Sequence, residues 1–204
     1  MEWLYKNGYP WGEDTFEAAV CHANIDILIW LKQKGCPFTD ITFYAAIKRG
    51  SLKIMKWLEK NGCPLAKNTF NVAINIGNLQ AMKWLHKNKF DGGKDIFSEA
   101  AGNGSLENMK WLHENGYPWS NDTFSVAAQY GDLDNMNWLK KMECPWGKNT
   151  FKEAARHGSL KNLKWLKKNG CPWNTSIQHC RYVGVKRHVI EWMQYNGCPL
   201  GRRS

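Results

Sequence analysis

Tryptophan stands at positions 3, 30, 57, 84, 111, 138, 165 and 192, always 27 residues apart. Proline keeps the same interval at 10, 37, 64, 118, 145, 172 and 199, interrupted only where Asp91 takes its place. Phenylalanine recurs at 16, 43, 70, 97, 124 and 151, and glycine at 50, 77, 104, 131 and 158. Four residue types on one clock make the 204-residue chain a tandem array, in which every unit must offer matching faces to its neighbours.

One unit, residues 149–173, reads NTFKEAARHGSLKNLKWLKKNGCPW. Asn149 is a suitable helix N-cap, with Asp14, Asn68, Asp95 and Asp122 in the same place elsewhere. The spacing predicts a short helix over TFKEAARH that buries Phe151, Ala154 and Ala155, with Gly158 ending it in a left-handed conformation. Ser159 is expected to cap a second helix, as Asn24, Ser51, Asn78, Ser105 and Asp132 would in other units. Leu160, Leu163, Trp165 and Leu166 are its apolar positions. Gly170 closes it and Pro172 blocks its continuation. One such hairpin cannot bury its own apolar faces, whereas a stack can. The expected fold is therefore all-α: a single domain over 1–204, with a partial repeat at 1–11 and seven helix pairs from about 12 to 200. In the last pair Arg181, Gln178 and Arg187 replace the small, aromatic and aliphatic residues, which suits a polar C-terminal cap. No equivalent cap precedes the partial repeat, so truncation, cover by another chain or self-association through that end is expected.

The pattern resembles the ankyrin repeat family. Ala154–Ala155, Gly158, Leu160, Leu166 and Gly170 fall at that family's offsets, and the resemblance covers nearly the whole chain. The usual repeat has about 33 residues; this one has 27. The shortfall lies where the family places its β-hairpin finger, so short Pro-Trp loops are expected in its stead. Short Trp- and Cys-Pro-rich repeats of this kind are similar to those of large DNA viruses and some protists. A viral member is expected to work in the host cell on a host protein. Some such members are adaptors through an added F-box, and no such segment is present here.

Charge and composition narrow the function classes. The chain carries +10, of which residues 140–204 hold 14 basic and 3 acidic groups. An electrostatic function would sit in that last third. No apolar run approaches the roughly 20 residues of a membrane span, and the N-terminus lacks a secretory signal. An intracellular, cytoplasmic protein without a membrane partner is the expectation. Cys36, Cys63, Cys144, Cys171 and Cys198 share one repeat position with Tyr9, Phe90 and Tyr117. An array that accepts Tyr and Phe there uses the position for packing, not for thiol chemistry. Cys171, His179, Cys180 and His188 are zinc-type residues without zinc-site spacing, so no metal or other cofactor is expected. No phosphate loop, HExxH or GxSxG is present, and no enzyme activity is expected.

What varies between repeats is the first helix. Two series run Cys21, Lys48, Asn75, Gly102, Gln129, Arg156, Val183 and His22, Arg49, Ile76, Asn103, Tyr130, His157, Gly184. The family resemblance puts both on the concave, ligand-binding side. Lys48, Arg49, Asn75, Ile76, Asn103, Gln129, Tyr130, Arg156 and His157 are therefore the candidate contacts for a protein partner. A second set, Lys161, Lys164, Lys167, Lys168, Lys186 and Arg187, with Arg181, Arg202 and Arg203, forms a basic patch able to meet nucleic acid or another polyanion. Lysines four apart on the second helix, Lys56 and Lys60, Lys83 and Lys87, Lys164 and Lys168, extend as stripes that read as a solvated face. A non-catalytic scaffold for a protein partner is the leading expectation, and polyanion binding is its rival.

Overall fold

The computed structural model describes residues 2–10, 12–22, 24–93, 95–103, 105–120, 122–147, 149–157, 159–172 and 184–198. They contain fourteen α-helices and no strand. The chain divides into two compact units, residues 1–92 and 93–204. The first holds α1 (Glu2–Lys6) and three pairs: α2 (Glu13–Cys21) with α3 (Ile25–Gln33), α4 (Asp40–Arg49) with α5 (Leu52–Lys60), and α6 (Thr69–Ile76) with α7 (Leu79–Lys87). The second holds α8 (Ile96–Gly102) with α9 (Leu106–Glu114), α10 (Thr123–Tyr130) with α11 (Leu133–Lys141), α12 (Thr150–His157) with α13 (Leu160–Lys168), and α14 (Arg187–Tyr195). The expected first helix of the seventh pair falls in 173–183, outside the described residues. Within each unit successive first helices lie side by side, α2 on α4 and α4 on α6, then α8 on α10 and α10 on α12, each packed on its own second helix. Each unit is an all-α solenoid of stacked helix pairs.

The periodic residues make the joints. Phe16, Phe43, Phe70, Phe97, Phe124 and Phe151 are all at most 1% exposed. Burial of one such ring contributes about 1.5–3 kcal/mol. Four of them stack on the tryptophan of the next repeat, 41 residues on. Phe16–Trp57, Phe43–Trp84, Phe97–Trp138 and Phe124–Trp165 have centroids 6.3, 6.0, 6.3 and 6.2 Å apart. The tryptophans are half-buried, because one face covers the phenylalanine while an edge meets solvent. Ala46, Ala73, Ala100, Ala127 and Ala154 are fully buried and keep the helices close.

Second helices start as the sequence predicts. The side chains of Asn24, Ser51, Asn78, Ser105, Asp132 and Ser159 each accept a first-turn amide. Helices α5, α7, α9 and α13 end on an asparagine whose Nδ2 donates to the tryptophan carbonyl one turn back: Asn61 to Trp57, Asn88 to Trp84, Asn115 to Trp111, Asn169 to Trp165, at 2.7–2.8 Å, whereas α3 ends on Lys34 and α11 on Met142. A left-handed residue follows. Gly62 has φ 78° and the next amide, of Cys63, returns to Leu58 O at 2.9 Å. The divergent loop 89–92 keeps this turn. Lys89 takes φ 66° and Phe90 N bonds Leu85 O at 3.0 Å, while His86 Nδ1 meets Asp91 Oδ1 at 3.1 Å.

Two expectations need correction. Asn68, Asp95 and Asp122 do stand at the N-cap of their helices, but their side chains make no capping bond, and Asp14 lies inside α2. Their backbone is turned toward helical angles (φ −92°, ψ 11° at Asn68), whereas a capping side chain requires extended backbone. The neighbouring threonine closes the turn. Thr69 Oγ1 donates to Ala66 O at 2.5 Å and Thr150 Oγ1 to Gly147 O at 3.0 Å, and Thr123 Oγ1 accepts from Ser120 N at 3.0 Å. The glycine position is also not uniform. Gly50 and Gly77 are left-handed, at φ 74° and 77°, but Gly131 is extended at φ −74°, ψ 173°. It is needed there for close approach: a Cβ would lie 2.6 Å from Ala127 O and 2.8 Å from Ala101 O.

Candidate docking surface on the first helices

The first helices bury one side against their neighbours and present the other. On α4, Phe43, Ala46 and Ile47 are buried, so Asp40, Ile41, Tyr44 and Lys48 face outward. Ile41 is 50% and Tyr44 41% exposed, although both are large and apolar. Two grooves flank Tyr44. One, of about 270 Å³, lies between α4 and α6, with Ile41, Tyr44, Ile47 and Val72 as apolar walls and Asp40 and Asn68 at the rim. The other, of about 260 Å³, lies between α2 and α4, lined by Glu17, Cys21, Tyr44, Ala45, Lys48 and Arg49. Small-molecule pockets run from about 300 Å³ upward. Each groove is sized for one or two side chains rather than for a cofactor.

The series named from sequence stands at the ends of the first helices in each unit. Lys48, Arg49, Asn75, Ile76, Asn103, Tyr130 and His157 are exposed at first-helix C-termini, and Gln129 and Arg156 are half-buried. In the second unit Tyr130, 63% exposed, leans on the His157 ring at 6.2 Å. Arg156 Nη1 sits 3.6 Å from Glu153 Oε2 one turn away. Val183 lies outside the described residues. Sequence reasoning missed Ile41 and Tyr44. The signal was available: Ile41 stands in a column of Asp14, Asn68, Asp95, Asp122 and Asn149, and Tyr44 in one of Glu17, Asn71, Ser98, Ser125 and Lys152. A large apolar residue in a polar column is an exposed one.

The basic patch is only partly a free surface. Lys161, Lys164 and Lys168 are exposed on one side of α13, and Lys186 is exposed before α14. Lys167 instead donates to Asn196 O at 2.8 Å and Asn196 Oδ1 at 3.0 Å, which ties α13 to the end of α14. Lys32 does the same to Asn61 O at 2.6 Å. Arg187 pairs with Glu191 at 2.9 Å. Arg181, Arg202 and Arg203 lie outside the described residues.

The repeated cysteines are packing groups. Cys36, Cys63, Cys144, Cys171 and Cys198 are buried. Burial pushes the thiols of Cys63, Cys144 and Cys171 up to about 12, and at Cys63 the Asp40 charge adds to it. Cys63 Sγ donates to Thr39 O at 3.3 Å, linking the loop to the start of α4. A thiol held protonated by burial is a poor nucleophile at neutral pH. Of the zinc-type residues, Cys171 is buried and His188 exposed, and His179 and Cys180 lie outside the described residues. No helix among the described residues is long and apolar enough to cross a membrane.

No protein-family model and no curated protein matches the sequence. Among solved structures the chain is similar to the crystal structure of the pentatricopeptide repeat protein PPR10 from maize, with 11% identity and a TM-score of 0.46. The match covers 96% of this chain and 36% of that one, so the chain spans little more than a third of that protein's length.

Proposed function

We propose that the chain is a non-catalytic binding scaffold that docks a protein partner on the outward face of its first helices. The observation that carries this reading is the pair of grooves around Tyr44, with Ile41 and Tyr44 exposed on a helix that buries its other apolar residues. Exposed apolar side chains beside clefts, within a polar rim, are how protein partners are anchored. The finer assignment to a shortened ankyrin-like repeat is supported by the Ala-Ala, Gly and Leu offsets and by loops without a strand between helix pairs. The rival, polyanion binding, has its own support in Lys161, Lys164 and Lys168, which form no ion pair among the described residues and share α13 with no acidic residue.

The test is capture by the immobilised chain at low and high salt, with nuclease in parallel. A protein retained at high salt and after nuclease, and lost with Tyr44→Ala or with Tyr130→Ala plus Arg156→Ala, supports docking. Binding that falls steeply with salt and is lost with Lys164→Ala plus Lys168→Ala would transfer the function to the basic face.

A further inference from the structure

We infer that the two grooves beside Tyr44 receive one extended segment of the partner, an apolar anchor followed by acidic residues. This deepens the docking reading and rests on it. The anchor's place is the α4–α6 groove, whose walls are Ile41, Tyr44, Ile47 and Val72. The acidic end's place is the α2–α4 groove, where Lys48 and Arg49 stand together at the C-terminus of α4. Neither cation forms an ion pair among the described residues. Their position at a helix C-terminus does not neutralise them either, because the dipole there is itself a weak negative end shared by two full charges.

Polarity follows from the acids already present. Asp40 borders the anchor groove at the first residue of α4, and Glu17, the middle residue of α2, lines the second groove together with Lys48 and Arg49, so that groove keeps the cationic excess. A segment with its carboxylates beside Asp40 would be repelled, and the reverse direction places them on Lys48 and Arg49. The span is also set. The groove centres are separated by about one helix spacing, ~8–10 Å, and by roughly a turn along α4. Extended chain covers that in about three to four residues. The expected recognition sequence is an aromatic or aliphatic residue with Asp or Glu three to four positions away.

A random 12-residue peptide library selected on the full chain tests this, with the winners synthesised and measured by fluorescence polarisation. The expected result is that spacing, with binding roughly tenfold weaker to Tyr44→Ala and to Lys48→Glu plus Arg49→Glu. The charge-reversed variant should instead bind the same peptide with Lys in place of its acids. That rescue also shows that the variant is folded. Winners that need Tyr44 but carry no acid at that spacing overturn this inference and leave the docking reading standing. Winners indifferent to both variants, or no winners, overturn both. If the chain alone forms a dimer in sedimentation that Tyr44→Ala abolishes, the occupant is a second copy and the inference falls.

Discussion

Each first helix ends with backbone carbonyls that have no partner inside the helix. In three repeats the following repeat supplies one. Asn78 Nδ2 donates to Ile47 O at 2.8 Å, Asn135 Nδ2 to Ala101 O at 3.3 Å, and Asn162 Nδ2 to Ala128 O at 3.1 Å. The three acceptors occupy the same position, 27 or 54 residues apart, yet the donors do not. Asn78 is the helix N-cap and its Oδ1 also accepts Ala81 N; Asn162 lies three residues further on, behind the cap Ser159. Asn162→Ala removes three bonds, to Ala128 O, to Gly131 O at 3.2 Å and from Ser159 Oγ at 3.1 Å, and leaves a small void. At about 1 kcal/mol per bond plus the void, the expected loss is about 3–4 kcal/mol. Adding Ser159→Asn recreates the Asn78–Ala81 arrangement and should recover at least about 1 kcal/mol, since the new amide reaches the same carbonyl. Urea unfolding followed by far-UV circular dichroism and tryptophan fluorescence, at unchanged m, reads both. A single variant within about 0.5 kcal/mol of the parent, or a double variant no more stable than the single, would refute inter-repeat capping.

Four further outcomes follow from the backbone and the thiols. Lys89→Gly and Glu143→Gly, at φ 66° and 58° where other repeats use glycine, should each stabilise by about 0.5–1 kcal/mol in the same unfolding experiment. Gly131→Ala should destabilise by about 2 kcal/mol or more, because the new methyl meets two backbone oxygens, and a stability change under about 0.5 kcal/mol would contradict the extended conformation. The buried thiols are held protonated in the folded state up to about 12, while unfolded thiols ionise near 9, so stability should fall as pH rises from about 9 toward 12. The three thiols should also resist a disulfide reagent in native protein at pH 8, whereas exposed Cys21 reacts at once; prompt reaction of Cys63, Cys144 and Cys171 would contradict their burial.

Much of the fold is legible in the sequence because the same residue solves the same packing problem in every repeat. The phenylalanines, alanines and second-helix caps act through their chemistry alone, and each sits where its column predicts. What is not legible depends on backbone angles or on a neighbour. Asn68 and Asp122 have the chemistry of caps but not the torsions, and the adjacent threonine does the work because its hydroxyl reaches back three residues. Asn162 reads as a polar residue for solvent and is 5% exposed, because the carbonyls that hold it belong to the preceding repeat. Lys167 reads as part of a charged patch and is a strap to the next helix. The variable columns named from sequence are exposed or half-buried at the ends of the first helices. The grooves depend on how α2, α4 and α6 are spaced, and no column records that.

The Phe–Trp stacks and the asparagine caps all run the same way along the chain, each repeat being completed by the one after it. On a ribosome this makes folding lag synthesis by a fixed length. Phe124, met first by Trp146 at 4.3 Å, lacks its stacking partner until Trp165 has emerged, and the end of α10 remains open until Asn162 has. At every moment the newest repeat is an unfinished, sticky edge waiting for about 40 residues of successor. A stop or a slow codon run therefore exposes a different aromatic surface at each repeat boundary, and release of a shortened chain leaves its last phenylalanine as a site for chaperones or for another nascent copy.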